Sequence, residues 1–192
     1  MANATLNAQF DNFFALFEQP VQFTLSQAEL DQRLRILQKH YHPDTVAADS
    51  TDKASALQQA EQASAIINHA YQTLSAADSR AGYLLDIAGQ ALNIEHSIAD
   101  LEFLEDAMQL RIDLEEAIED KNHASLQPLH PKIEQRLIMQ SKRFSDAYQA
   151  QDWQTAIDAT QKLKFLVKLD ADITIALDEL ANADQSDDDL YV

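Results

Sequence analysis

Cysteine is absent from this 192-residue chain. That excludes disulfides, thiolate zinc sites, cysteine-ligated clusters and cysteine nucleophiles. Glycine occurs twice and proline four times, too few breakers for the tight turns of a β protein, and there is no Gly-rich phosphate loop of the kind an NTPase needs. No apolar run reaches the length of a membrane span, and MANATLNAQF lacks a basic n-region and a long apolar stretch; a cytoplasmic protein is the expectation. Cations are scarce. Lys and Arg number 14 against 32 Asp and Glu, for a net charge of −18. Phosphate repels such a field, so nucleic acid is not an expected partner. The imbalance is also uneven, with 4 basic and 8 acidic residues up to position 77 and 10 and 24 beyond it.

Ala, Leu, Gln, Glu and Asp dominate, and 46% of residues are apolar. These are helix formers with enough apolar material for a core, and they predict an all-α fold. Residues 10–18 place Phe10, Phe13, Phe14 and Phe17 near one helical face, and Gln19-Pro20 ends that short helix. Ser26 and Glu29 form a capping box for a helix over 27–41, with Leu25 and Leu30 as its staple. Leu30, Leu34, Leu37 and Tyr41 share one stripe of that helix. Arg35 and Lys39 stand on the opposite face, and Arg33 and His40 flank the stripe.

His42-Pro43-Asp44 follows, where proline forces the chain out of helical geometry. A second long helix over 53–74 points Leu57, Ala60, Ala63, Ser64, Ile67, Ala70, Tyr71 and Leu74 inward and packs antiparallel to the first. A short helix over 79–88, with Gly89 as its C-terminal stop, leads to three more helices over 98–120, 131–150 and 153–181. Asp152 caps the last of them. The implied organisation is an extension (1–9), a first unit (10–78), a linker (79–97), a three-helix bundle (98–183) and a frayed acidic tail (184–192).

The helix over 98–120 has two apolar faces. Phe103, Ala107, Leu110, Leu114 and Ala117 form one stripe; Leu101, Leu104, Met108 and Ile112 form another, roughly opposite. A bundle helix needs one buried stripe. The second must meet the first unit, a twin chain or a partner protein, or else simply complete the core. In the last helix, Ala156, Leu163, Leu166, Val167, Ile173 and Leu177 follow one drifting stripe, and Phe165 lies off it between Lys164 and Lys168. An aromatic in that setting suits a contact anchor.

A basic helix, a His-Pro-Asp loop and a second long helix resemble the J-domain of co-chaperones. QKHYHPD (38–44) and INHAYQTL (67–74) carry that resemblance; SRAGYLLDIAG (79–89), FLEDAMQLRIDLEEAI (103–118) and QKLKFLVKL (161–169) narrow it to the HscB-type co-chaperone of iron–sulfur cluster assembly. The resemblance implies an N-terminal J-domain followed by a C-terminal three-helix bundle, no enzyme activity and no cofactor. It also implies two partners, an ATPase chaperone of the HscA/DnaK class and an IscU-type cluster scaffold protein. Chaperone binding falls by resemblance on Arg33, Arg35, Lys39, His42, Pro43 and Asp44. Scaffold binding falls on Leu104, Glu105, Met108, Gln109, Ile112 and Phe165; the helical wheel alone had singled out Leu104, Met108, Ile112 and Phe165. Two departures stand out. Thr45 occupies a position that is often Lys in the family, and at Glu105 and Ile112 the apolar and acidic residues are exchanged.

The residues leave other readings open. Asp44 is also a common turn-capping residue, and three cations on a helix are usually a solvated surface. A metal-dependent hydrolase would have to use His40 and His42, an i,i+2 pair that does not share a helical face and has no third ligand at useful spacing. A J-domain protein serving another client, and a structural oligomer joined through the second stripe, complete the alternatives; a monomer is the expectation.

Overall fold

The computed structural model describes residues 10–42, 53–90, 98–121 and 123–188, and every regular element among them is an α-helix. The chain divides between Ala88 and Gly89 into two units. Residues 1–9, 43–52, 91–97, Asn122 and the last four residues lie outside the described residues.

The first unit contains α1 (Phe13–Leu16), α2 (Gln27–His40), α3 (Lys53–Ser75) and α4 (Ala77–Ile87), and the first two begin at polar caps. The Asn12 side chain accepts from the Ala15 amide at 2.9 Å, and the Ser26 hydroxyl accepts from the Glu29 amide at 3.4 Å. Tyr71 of α3 donates its hydroxyl proton to Asp31 of α2 at 2.7 Å, and Gln38 lies opposite Asn68. Later residues of α2 therefore meet earlier residues of α3, which makes the pair antiparallel, as expected from the sequence.

The buried stripe of α3 is Ala56, Ala60, Ala63, Ile67, Ala70 and Leu74. Leu57, expected to point inward, is instead 44% exposed. The alternating steps of four and three that join the other positions run through Ala56, and Leu57 is a further 100° or so around the helix. Alanines along this seam leave room for the larger Leu30 and Leu37 of α2, both buried. Phe14 and Phe17 fill the end of the core with no exposed surface, whereas Phe13 stacks on Tyr83 of α4 at 4.7 Å between ring centres.

α4 starts earlier than expected and belongs to the first unit, not to a linker. Tyr83 accepts the Phe13 amide proton at 3.0 Å. Arg80 donates to the Leu74 and Ser75 carbonyls at the end of α3 and lies over the Phe23 ring at 4.9 Å. A guanidinium there meets both the exposed carbonyls and the negative end of the helix dipole. Gly89 follows α4 at φ 71°, the left-handed stop its sequence position implied.

The second unit contains α5 (Leu101–Glu119), α6 (His123–Leu126), α7 (Leu129–Gln149) and α8 (Trp153–Asp188). Asp152 caps α8 by accepting from the Thr155 amide at 3.2 Å. At the turn between α7 and α8, Trp153 meets Tyr148 edge-on at 5.8 Å. α6 was not anticipated from the sequence; its Leu126 is fully buried beside Leu129 and Ile133. α8 runs on through Asp188 instead of fraying at 184. Its core positions are Ala156, Ala159, Leu163, Leu166, Leu169, Ile173 and Ala176, while Val167 and Leu177, expected on the stripe, are half-buried.

Phe14→Ala removes a side chain with no exposed surface and is expected to cost about 3–5 kcal/mol. Leu57→Ala, despite its apolar loss, should stay within about 0.5 kcal/mol of the parent. Urea denaturation followed by circular dichroism measures both, and equal losses would contradict the burial of the α3 seam.

Candidate functional site

The cationic face of α2 is built from side chains in different settings. Arg35 and Lys39 are exposed, with Ile36 49% exposed between them. Arg33 is more enclosed, its side chain 19% exposed. It donates from Nε to the Leu16 carbonyl at 3.3 Å and pairs with Glu18 at 2.9 Å. Glu18 follows α1 at φ 54°, a left-handed conformation that costs a non-glycine residue about 1–2 kcal/mol. Arg33 thus closes the end of α1. Arg35, on the solvent side, helps hold the Asp31 carboxyl below its ordinary range, after the larger effects of the Tyr71 and Gln27 hydrogen bonds.

α2 ends with the His40 ring edge-on to Tyr41 at 4.8 Å. His42 is exposed where the helix has ended. Pro43, Asp44 and Thr45 lie outside the described residues. Among the described residues no group of three or more His, Asp or Glu is placed to hold a metal ion, so neither His40 nor His42 belongs to one. Nor is any helix among them long and apolar enough to cross a membrane.

The second surface lies in the other unit. α5 buries Ala107, Leu110, Leu114 and Ala117. Its opposite stripe stays open, with Leu101 72%, Leu104 38%, Met108 61% and Ile112 38% exposed. Phe165 rises from α8 beside it, half-buried, and meets the Phe103 ring edge-on at 6.2 Å. Leu104, Glu105, Met108, Gln109, Ile112 and Phe165 line one open groove of about 700 Å³ floored by Ala107. All six scaffold-contact positions named from the sequence are thereby brought together. The Gln109 amide donates to Asp113 at 2.7 Å and Arg111 pairs with Glu115 at 2.9 Å, so the polar rim is internally bonded. A smaller hollow shares Arg111 and Glu115 and continues toward Ile118 and Ile175, which the sequence had not suggested.

Sequence reasoning also missed the group behind this groove. Lys162 is buried in α8, with its ammonium 2.7 Å from Asp100 and 2.8 Å from Asp158. Asp100 in turn caps α5 by accepting from the Phe103 amide at 3.1 Å. The available signal was the i,i+4 spacing of Asp158 and Lys162 on an otherwise apolar face. The Lys162 hydrogen bond, then the Phe103 amide, hold the Asp100 carboxyl below the ordinary carboxylate value of 3.8. Their stabilisation is complete above that ordinary value and is lost as pH falls through the lower folded one. The carboxyl carbon of Asp100, followed by NMR against pH, should titrate below 3.8; a midpoint at or above it would contradict the pairing.

The family model for the HSCB C-terminal oligomerisation domain matches residues 99–174, the span that carries the groove. A co-chaperone protein HscB homolog of Acinetobacter baumannii is 36% identical over 177 residues, covering 92% of this chain and 96% of that protein. The homolog of Acinetobacter baylyi is 35% identical with the same coverage. Among solved structures, the chaperone HscB from Vibrio cholerae superposes with a TM-score of 0.69 at 35% identity, over 88% of this chain and 99% of that one. The human co-chaperone protein HscB gives a TM-score of 0.69 at 24% identity, over 85% of this chain and 81% of its own, a likeness of fold.

Proposed function

This chain belongs to the HscB co-chaperone family, and from that premise we propose that it works by two dockings. The first unit stimulates ATP hydrolysis by an HscA/DnaK-class chaperone. The second carries an IscU-type cluster scaffold protein to that chaperone during iron–sulfur cluster maturation. The protein is then a regulator acting in the cytoplasm, not itself an enzyme, and it needs no cofactor.

The observation that carries this reading is the convergence of Leu104, Met108, Ile112 and Phe165 on one exposed apolar groove. Apolar side chains open to water at a groove of this size suit a protein partner. Arg35 and Lys39 supply the other docking face. In a chain of net charge −18, a local cationic face steers toward an acidic patch on the chaperone. Arg33 contributes from behind, by fixing α1 against α2.

At the loop, Asp44 forms a charge-assisted hydrogen bond with an arginine of the chaperone. A bond of that kind in a partly water-excluded interface biases the chaperone toward its hydrolysis-competent state. Pro43 fixes the direction of the loop, and His42 holds Asp44 by packing and hydrogen bonding. Thr45 in place of the family's frequent Lys removes one possible contact, and the exchanged residues at Glu105 and Ile112 give the scaffold surface its own fine contacts.

A second reading comes from the matched family domain, which is an oligomerisation domain. Leu101, 72% exposed and outside the lining of the groove, favours it, since a twin chain would cover what a scaffold seated in the groove leaves open. Sedimentation of the purified protein decides: a stable monomer removes this reading.

Asp44→Asn is expected to lose about 1.5–3 kcal/mol of the stabilising hydrogen bond and with it most ATPase stimulation, measured as steady-state phosphate release by the chaperone with and without scaffold. Undiminished stimulation would remove Asp44 from the mechanism. Arg35→Glu with Lys39→Glu should weaken chaperone binding and flatten its dependence on salt; unchanged binding and salt dependence would overturn steering. Retention of the scaffold in a pull-down should fall on Leu104→Ala, Met108→Ala or Phe165→Ala; scaffold retained in full by all three would show that it does not sit in this groove, and no retention by the parent would point to a different client.

A further inference from the structure

Lys162 is a cation placed where stability alone gives no reason for one. Its side chain is 1% exposed. Burying an ammonium costs much of its hydration, and replacing buried ion pairs with well-packed apolar residues is often neutral or stabilising. What the lysine supplies that a leucine would not is direction. Its ammonium meets Asp100 at the start of α5 and Asp158 one turn back on α8. Asp158 also faces Arg143 of α7 at 3.7 Å, so the carboxylates around Lys162 link all three long helices of the unit. The same ammonium lies 5.3 Å from the centre of the Phe103 ring, which meets Phe165 edge-on.

These contacts converge on one end of the groove. Asp100 fixes the first turn of α5, and Phe103 is anchored by its amide on Asp100 and by its ring over Lys162. Leu104 is the next residue and Met108 one turn further. Phe165 is the groove's contribution from α8, and Phe103 is its aromatic neighbour on α5. A small rotation of the first turn of α5 would move Leu104 and Phe103 together, and Phe165 would lose its backing.

We propose that Lys162 is a positioning residue for the scaffold-binding groove: through Asp100 and Phe103 it sets the placement of Leu104 against Phe165. This rests on the reading of that groove as the scaffold's seat. Lys162 touches no partner itself and acts through the two walls.

The test is isothermal titration of the full chain with the apo scaffold protein, with circular dichroism as the check on folding. Lys162→Met keeps the length and removes the charge. Asp100→Ser keeps a helix cap and removes the ion pair. Each is expected to weaken scaffold binding by about tenfold or more, the size of a lost interface anchor. In a Phe165→Ala background, Lys162→Met should add less than about twofold, because its effect passes through Phe165, whereas independent sites add in full. A folded Lys162→Met or Asp100→Ser with parental affinity overturns the proposal, and so does a full additional loss in the Phe165→Ala background. If Lys162→Met does not fold, Asp100→Ser decides alone. Should Phe165→Ala itself bind as the parent does, the groove is not the scaffold's seat and both readings fall; a loss in Phe165→Ala without one in the Lys162 and Asp100 variants removes only the positioning role.

Discussion

α5 carries two apolar stripes on opposite sides and can turn only one of them to α7 and α8. The side it turns inward holds Ala107, Leu110, Leu114 and Ala117, where the alanines let α8 come close and the leucines reach Leu169 and Ile173. The other side is then left to water, and the unit has no further helix to cover it among the described residues. Exposed Leu101 and Met108 follow directly from that choice. Their hydration is unfavourable, at about 25 cal/mol for each Å² of apolar surface, and a partner that covers them recovers it.

The two surfaces use opposite physics. The α2 face is cationic in an anionic chain, so it acts at a distance and weakens with salt. The α5–α8 groove is largely apolar, and on its rim Arg111 pairs with Glu115 within the unit. Its attraction is short-ranged and depends on shape, which is why the placement of its walls matters. Division between units lets each surface keep its own character, since the first unit carries few carboxylates and the second carries most of them.

Much of this was legible in the chain. Periodicity located the long helices, the two stripes of α5 and the inward leucines of α2, because a 3.6-residue repeat is imposed by geometry alone. Caps at Ser26 and Asp152 and the stop at Gly89 were visible because those residue types answer a local need for hydrogen bonds or a left-handed turn. The failures have a common physical root in contacts between distant residues. Ala56, not Leu57, faces inward because α3 meets α2 along a particular seam, and hydrophobicity alone ranks leucine above alanine. α4 joins the first unit because Tyr83 and Arg80 reach α1 and α3, partners that no local pattern encodes. The Asp158–Lys162 spacing hints at a pair, but the burial of Lys162 depends on a second carboxylate, Asp100, 62 positions away. Of the candidate site, residue types and spacing marked the exposed anchors, whereas Arg33 emerged as part of the scaffold of α1 only once Leu16 and Glu18 were placed beside it.

The chain's single tryptophan, Trp153, sits at the α7–α8 turn in edge contact with Tyr148. Excitation of Tyr148 passes readily to an indole at 5.8 Å. Tyr41, Tyr71 and Tyr83 belong to the other unit. Indole emission therefore reports on the second unit, while phenol emission comes mainly from Tyr41, Tyr71 and Tyr83 of the first, with Tyr191 the remaining tyrosine of the chain. Two optical channels in one unlabelled sample thus weight the two units differently when a ligand or a denaturant disturbs them.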